Sequence, residues 1–395
     1  MPFVVYVFTL SAFALGLAEF VPIGLTQSVA HGLGVSAHQS GLVTTFYALG
    51  AAISAPVLSA VTAGWPRKRA MLATVFLFSL GSLAAALAPN LAVLVGARLV
   101  AGVGHGLFLA VASDTAAQLA GPQKAGRAIA AVFGGFTLAM AVGVPLSTWL
   151  GQVLSWRLAL GLIAVFGVVG LAGLAWGMPD AAASPSRPAA AVSVQLRAMF
   201  HPVLLMAALV TVLGYAGSFT VFTYIALLLT QVTGLNAGAV SLFMLAFGVS
   251  AVIGNAFGGR FTDWLGVDRA SGAVIAAIAV LALGIWMFAS SSLAMAVLVA
   301  LLGMVTFGSV PALQARLLSI ADRHAPGARG VASGLNIAGF NAGIAAGSFL
   351  GAITLGWLDV TATGLAGAVV SLLGWLLLWG STRVLLARAK PIMAG

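Results

Sequence analysis

Cysteine is absent from the 395 residues, which excludes a disulfide framework, a thiolate metal site and a cysteine nucleophile. Charge is scarce as well. Asp, Glu, Lys and Arg make up 6% of the chain, where soluble domains carry about 25%, so no water-exposed surface of the ordinary kind can be built. There is one glutamate, Glu19, and it stands outside any His-Glu-x-x-His zinc motif. The three lysines follow Arg67, Gln123 and Ala389, so no Gly-Lys-Ser/Thr loop is available to cradle the phosphates of ATP. No Gly-x-Ser-x-Gly elbow occurs either. Hydrolase chemistry and ATP-driven transport both lack their parts, and the chain reads as something other than an enzyme.

Hydrophobic residues are abundant, at 62% of the chain, against about 45 to 50% in soluble domains. They recur in long runs, and a run of about 20 matches the roughly 30 Å hydrocarbon core of a bilayer. Breaks at Gly, Pro and charged residues predict twelve membrane spans. The first six are Phe3 to Val29, Gln39 to Ala63, Ala70 to Ala88, Leu91 to Ala117, Ala128 to Leu150 and Leu158 to Met178. The second six are Val203 to Gln231, Ala237 to Phe257, Ala270 to Ala289, Leu293 to Leu313, Val331 to Leu355 and Thr363 to Gly380. An Ala-, Pro- and Ser-rich stretch separates the sets, predicting two six-helix bundles at 1–179 and 202–395 joined by a cytoplasmic linker at 180–201. Met1-Pro2-Phe3 has no basic leader region and reads as the start of a retained span.

A net charge of +10 suggests nucleic acid in a soluble protein. Here the basic residues sit in short clusters between apolar runs, and their distribution carries the information. With a cytoplasmic amino terminus, fifteen of the seventeen Lys and Arg fall on one side. The positive-inside rule therefore predicts both termini in the cytoplasm. Arg157 begins the sixth span on the other side, and Arg98 lies within the fourth.

The halves echo one another. Gly135, Ala139, Gly143, Ser147 and Gly151 recur every four residues in the fifth span, as do Gly339, Gly343, Gly347 and Gly351 in the eleventh. Such ridges let helix backbones approach closely, and a smooth seam also permits sliding. Two parallel six-helix repeats place a substrate site near the midplane between them.

Ionisable groups at membrane depth cost about 2.5 to 3.5 kcal/mol each, so each needs a partner or a purpose. Glu19 lies roughly 15 Å down from the outer end of the first span, and Arg98 roughly 10 Å down from the same side in the fourth. The two can form a permanent ion pair, or Glu19 can exchange protons or bind substrate. Arg98, Gly102 and His105 share one helical face, and His105 is either a proton-coupling group or a neutral histidine bonded between helices. Asp114, near the cytoplasmic end, has Arg67 to Arg69, Lys124 and Arg127 as possible partners. Tyr215, Phe219 and Phe222 share a face in the seventh span and, with Phe340, can line an aromatic path. Asn336 and Asn341 either glue helices or face the same cavity.

These motifs resemble the major facilitator superfamily, and within it the bacterial drug and sugar efflux group of proton antiporters. Ala18-Glu19-Phe20-Val21-Pro22-Ile23-Gly24-Leu25 looks like that group's first-helix signature. The run from Arg98 to Gly106 resembles its fourth-helix motif, and Gly143-Val144-Pro145-Leu146 with Gly151-Gln152 and Trp156-Arg157 is similar to its fifth-helix pattern. Gly259-Arg260-Phe261-Thr262-Asp263-Trp264-Leu265-Gly266 resembles the cytoplasmic gating motif, which implies that Asp263 helps hold an inner gate, with Asp114 as a second gating acid. The matching first-half loop carries Ser59 and Ala63 where the pattern has glycine and aspartate.

The resemblance implies a multi-pass inner-membrane exporter, working as a monomer without cofactor. It exchanges an inward proton for an outward small organic molecule, a drug, sugar derivative or nucleoside. The alternatives are a proton symporter or uniporter for sugars or nucleosides, and a transporter-like sensor. The expected partners are lipid, substrate and protons, with no nucleic acid.

Overall fold

A computed structural model describes residues 3–62, 65–120, 125–143, 146, 149, 153, 155–178, 197, 199–324 and 329–389. Among them no strand occurs. The helices of the first half are α1 (Phe3–Gly24), α2 (Thr26–Leu33), α3 (Ala37–Val61), α4 (Arg67–Ala86), α5 (Leu91–Ala120), α6 (Ala125–Leu138) and α7 (Trp156–Gly177). A π-helical turn at Ala139–Gly143 continues α6. Those of the second half are α8 (Pro202–Phe222), α9 (Ile225–Gln231), α10 (Ala237–Leu265), α11 (Val267–Phe288), α12 (Ser292–His324), α13 (Arg329–Trp357) and α14 (Ala362–Ala389).

Eleven helical segments among the described residues are long and apolar enough to cross a bilayer, and a shorter apolar one covers Gly134–Gly143. That shorter piece falls in the predicted fifth span, five of whose residues beyond Gly143 lie outside the described residues, as does nearly all of the 180–201 linker. The first and seventh predicted spans are each two helices. In the first, Pro22 lacks the amide that would continue the ladder, the Leu25 amide turns back to the Pro22 carbonyl, and α2 restarts at Thr26. In the seventh, the chain breaks at Thr223 and Tyr224.

Local chemistry sets several helix ends. Ser36 and Gln39 form a reciprocal capping box at the start of α3, and the Asn236 side chain caps α10. Gly34 closes α2 with a φ of 65°, a left-handed conformation that glycine adopts without a Cβ penalty.

The helices pack in two groups. In the first, α1 lies on α6 and α7, α5 on α3 and α4, and α4 on α7. In the second, α8 lies on α13 and α14, α10 on α12, and α11 on α12 and α14. The groups meet where α3 runs along α13 and where α10 crosses the π-helical turn. The small-residue ridges have matching jobs. Gly135 and Gly143 face Thr9 and Leu17 of α1, while Gly339, Gly343 and Gly347 face α8 from Ala208 to Thr220 and Gly351 faces Thr220 and, just past α8, Tyr224. They therefore bring helices together inside each group and do not form the seam on which the groups would slide.

The outer flanks are apolar, as hydrocarbon requires. Exposed tryptophans mark two levels: Trp65, Trp176 and Trp264 at the end carrying Arg67 and Arg269, and Trp149, Trp286 and Trp357 at the opposite end. Two such girdles match the two interfaces of a bilayer. The end carrying the arginines is called the basic end below.

Candidate functional site

The proline that ends α1 also shapes the site. Residue 22 would ordinarily donate its amide to the Ala18 carbonyl one turn back, and proline has none. A buried carbonyl left without a donor costs about 1 to 3 kcal/mol. Arg98, from the middle of α5, supplies the donor: its Nη2 bonds the Ala18 carbonyl, while its Nε reaches the Val43 carbonyl of α3 at 3.4 Å. The guanidinium lies 4.0 Å above the Tyr47 ring, a cation–π contact. Arg98 is 1% exposed and ties three helices together. Close approach makes this possible, because Gly102 meets the Tyr47 backbone with no Cβ between them.

Glu19 follows Ala18 in sequence, yet its partner is not Arg98. Its Oε2 lies 3.7 Å from His105 Nδ1, and both residues are buried. Neither atom has a hydrogen-bond partner. The sequence admitted a Glu19–Arg98 ion pair; the structure gives the arginine two main-chain carbonyls and the glutamate an imidazole. A carboxyl and an imidazole at this separation are one small side-chain movement from passing a proton between them, and both atoms remain available to a ligand.

Aromatic rings surround the pair. The Tyr47 and Phe136 rings stand 5.6 and 6.1 Å from the His105 ring. Phe20 joins this set to the second group, with centroids 5.4 Å from Phe136, 6.3 Å from Phe219 and 5.8 Å from Phe307. From there the rings run on through Phe219 to Tyr215 and Phe340, and through Phe222 stacked on Phe247 at 3.8 Å. The four aromatics expected from the sequence thus belong to one network. It also contains Phe20, Tyr47, Phe136, Phe247 and Phe307, which sequence reasoning missed because apolar rings on lipid-facing and cavity-facing positions look alike in one dimension.

The two asparagines separate. Asn336 accepts from Thr211 at 2.8 Å and donates to Gln314 at 2.6 Å, linking α13 to α8 and α12. Its amide is used for helix packing. Asn341 donates to the Ile337 carbonyl of its own helix, and its Oδ1 is buried without a partner.

Of the two gating acids, Asp263 is exposed near the end of α10, and the Asp114 side chain lies outside the described residues. An unpredicted acid holds the basic end of the second group. Asp268 accepts from Arg316 Nε at 2.9 Å, and Arg316 Nη2 reaches Ser381 at 3.4 Å, so α11, α12 and α14 share one clamp. Five residues separate Asp268 from Asp263, and nothing in their local sequence distinguishes which would find a buried arginine.

At the opposite end the two groups are bonded together. The Thr26 hydroxyl, 2.9 Å from the Ile23 carbonyl, also reaches the carbonyl of Thr223 at 3.4 Å, Gln27 donates to Thr230 at 2.9 Å, and Tyr224 donates to the His38 carbonyl at 3.4 Å. The breaks after α1 and α8 make the first of these bonds possible, since a continuous helix would occupy the Thr223 carbonyl internally.

A family model described as Major Facilitator Superfamily matches residues 8–328. The uncharacterized MFS-type transporter YtbD of Bacillus subtilis is 33% identical over 96% of this chain and 95% of its own. The inner membrane transport protein YdhP of Escherichia coli K12 is 32% identical over 95% and 94%, and the chloramphenicol resistance protein of Streptomyces lividans is 33% identical over 90% of each. In fold, the human organic anion transporter MFSD10 (TETRAN) covers 95% of this chain and 98% of its own with a TM-score of 0.66 at 17% identity. The relatives are transporters, not enzymes, and this chain belongs to the major facilitator superfamily of multi-pass membrane transporters.

Proposed function

We propose that the protein exports a drug-sized organic molecule in exchange for protons, by alternating access between six-helix bundles at 1–179 and 202–395 joined through the 180–201 linker. The observation that carries this reading is the unpartnered, buried Glu19–His105 pair set beside an aromatic network that spans both groups of helices. The rings suit a flat apolar body, and the free carboxyl and imidazole suit a proton or a hydrogen-bonding substituent. Relatives named for chloramphenicol resistance and efflux make that compound the first to test. In this reading the basic end faces the cytoplasm of a bacterial inner membrane, which the distribution of Lys and Arg supports. The Thr26, Gln27 and Tyr224 bonds then form an outer gate, held shut in this conformation. The transporter acts as a monomer, needs no cofactor and is driven by the proton gradient.

One proton moving down 100 mV releases about 2.3 kcal/mol, which at about 1.4 kcal/mol per decade sustains roughly a 40-fold gradient. A single carboxylate suffices for that. Proteoliposomes with an imposed pH gradient should therefore accumulate labelled chloramphenicol against its gradient with wild-type protein. Glu19→Gln should lose uphill transport and keep downhill exchange or binding. A Glu19→Gln protein that still concentrates the compound with normal proton coupling overturns the assignment.

A further inference from the structure

The charge balance around Glu19 restricts what it can hold. The ionisable groups that interact with its carboxyl are Arg98 and His105 of α5, Tyr47 of α3 and Tyr215, near the middle of α8. Arg98 is buried and spends its bonds on main-chain carbonyls, and the one carboxylate it interacts with among the described residues is Glu19. An ionised Glu19 therefore leaves the region close to neutral, and a protonated one leaves it positive. Neither state offers surplus negative charge to offset the desolvation of a bound cation. The Tyr47 face, which could hold one, is already covered by the guanidinium.

The hydrogen-bonding needs of the pair change with protonation. A neutral imidazole has one bare nitrogen, and a protonated carboxyl has one O–H to give. With Nδ1 bare, protonated Glu19 satisfies it by closing the 3.7 Å gap, and neither group then needs a ligand. Ionised Glu19 can only accept, as can the bare nitrogen, so the buried Oε2 stays unsatisfied until a donor arrives from elsewhere. Taking this region as the transport site, we propose that its substrate is an uncharged aromatic molecule carrying a hydroxyl or N–H that donates to ionised Glu19, while His105 Nδ1 accepts from Glu19 once the proton returns. Substrate and proton exclude one another through one hydrogen bond, with no charge on the substrate. His105 is a positioning residue in this exchange, and lipophilic cations are poor substrates.

Three tricyclic probes of nearly equal shape separate these requirements. Phenanthridinone is uncharged and has one N–H, its N-methyl derivative is uncharged without a donor, and N-methylphenanthridinium is a cation. In equilibrium dialysis against the purified protein in detergent, with protein-free micelles as the blank, phenanthridinone should bind about 10- to 100-fold more tightly than either of the others. That is the worth of a hydrogen bond to a charged acceptor. Its affinity should fall on acidification, and that of the N-methyl compound should not. Glu19→Gln should remove both the preference and the pH dependence. His105→Phe keeps a ring and removes the acceptor, so in acid it should bind phenanthridinone about fivefold more tightly than the wild type, a gain that damaged packing would not give. In the wild-type protein, no binding, equal binding of phenanthridinone and its N-methyl form, or tighter binding of the cation overturns the proposal without reference to any variant. Weaker binding by His105→Phe in acid overturns the role of Nδ1. Chloramphenicol accumulation in proteoliposomes reads export separately: accumulation alongside a preference for the cation would sink the substrate class alone, and a donor preference without accumulation would uphold the class and remove export.

Discussion

Pro22 and Arg98 are coupled through one carbonyl, and a double-mutant cycle measures how strongly. Pro22→Ala returns an amide that can donate to Ala18, and Arg98→Met removes the guanidinium and leaves an uncharged, flexible side chain that ends near the position of Nε. In the parent background, Arg98→Met strips the Ala18 carbonyl of the guanidinium bond that stands in for the missing Pro22 amide, at about 1 to 3 kcal/mol. It also removes the contact with Tyr47, worth about 1 to 2 kcal/mol in a desolvated site. The 3.4 Å bond to Val43 contributes little, being long and made to a mid-helix carbonyl. The total is roughly 2 to 5 kcal/mol. With Pro22→Ala present, the Ala18 share falls away while the Tyr47 share remains. Measured couplings between polar groups in membranes average about 0.6 and reach about 1.7 kcal/mol. A buried carbonyl whose usual amide donor is a proline belongs near the top of that range, so the expected coupling is about 1 to 1.5 kcal/mol. Reversible unfolding of the four proteins in mixed micelles by titration with sodium dodecyl sulfate gives the cycle directly. Any effect of losing the positive charge near Glu19 occurs in both backgrounds and cancels. Additivity within about 0.5 kcal/mol would show that Arg98 is not standing in for the missing amide.

Asp268→Asn should destabilise the protein by about 1 to 2 kcal/mol in thermal or detergent unfolding. The loss falls below the 3 to 5 of a fully buried pair because the Asp268 side chain is 32% exposed, while the exposed Asp263→Asn should change stability by less than about 0.5. Gln27→Cys with Thr230→Cys, joined by a short cleavable bis-methanethiosulfonate, should stop transport until a reductant is added, and full transport by the joined protein would remove the outer gate. The Asp359 carboxyl is held below the usual carboxylate range by hydrogen bonds from the Thr361 hydroxyl and the Ala362 amide at the start of α14. Its contribution is therefore complete above the ordinary aspartate range and lost as pH falls through the lowered value. Asp359→Ala should cost about 1 kcal/mol at neutral pH and nothing in strong acid, which unfolding curves at both pH values will check.

Much of this was legible in one dimension. The solvent, the helical class, the spans and the position of the chain's one glutamate follow from apolar run length and the scarcity of charge, which depend only on neighbours along the chain. The glycine ridges were visible as a period of four, and Tyr215, Phe219, Phe222 and Phe340 did prove to share one network. Partner choice was not legible. Glu19 faces His105 because of how α1 and α5 are rotated, and Arg98, though near in depth, is drawn instead to the carbonyl that Pro22 leaves open. A proline four residues after an alanine advertises a free carbonyl, but which of many side chains fills it depends on packing 80 residues away. Asp268 rather than Asp263 meets a buried arginine for the same kind of reason, since rotation about a helix axis separates residues that composition treats alike. The sequence by itself determined that the chain lies in a bilayer and how its helices are spaced. Only the tertiary structure decided which polar groups satisfy one another and which stay free for a ligand, because in hydrocarbon every donor and acceptor must find its partner within the protein.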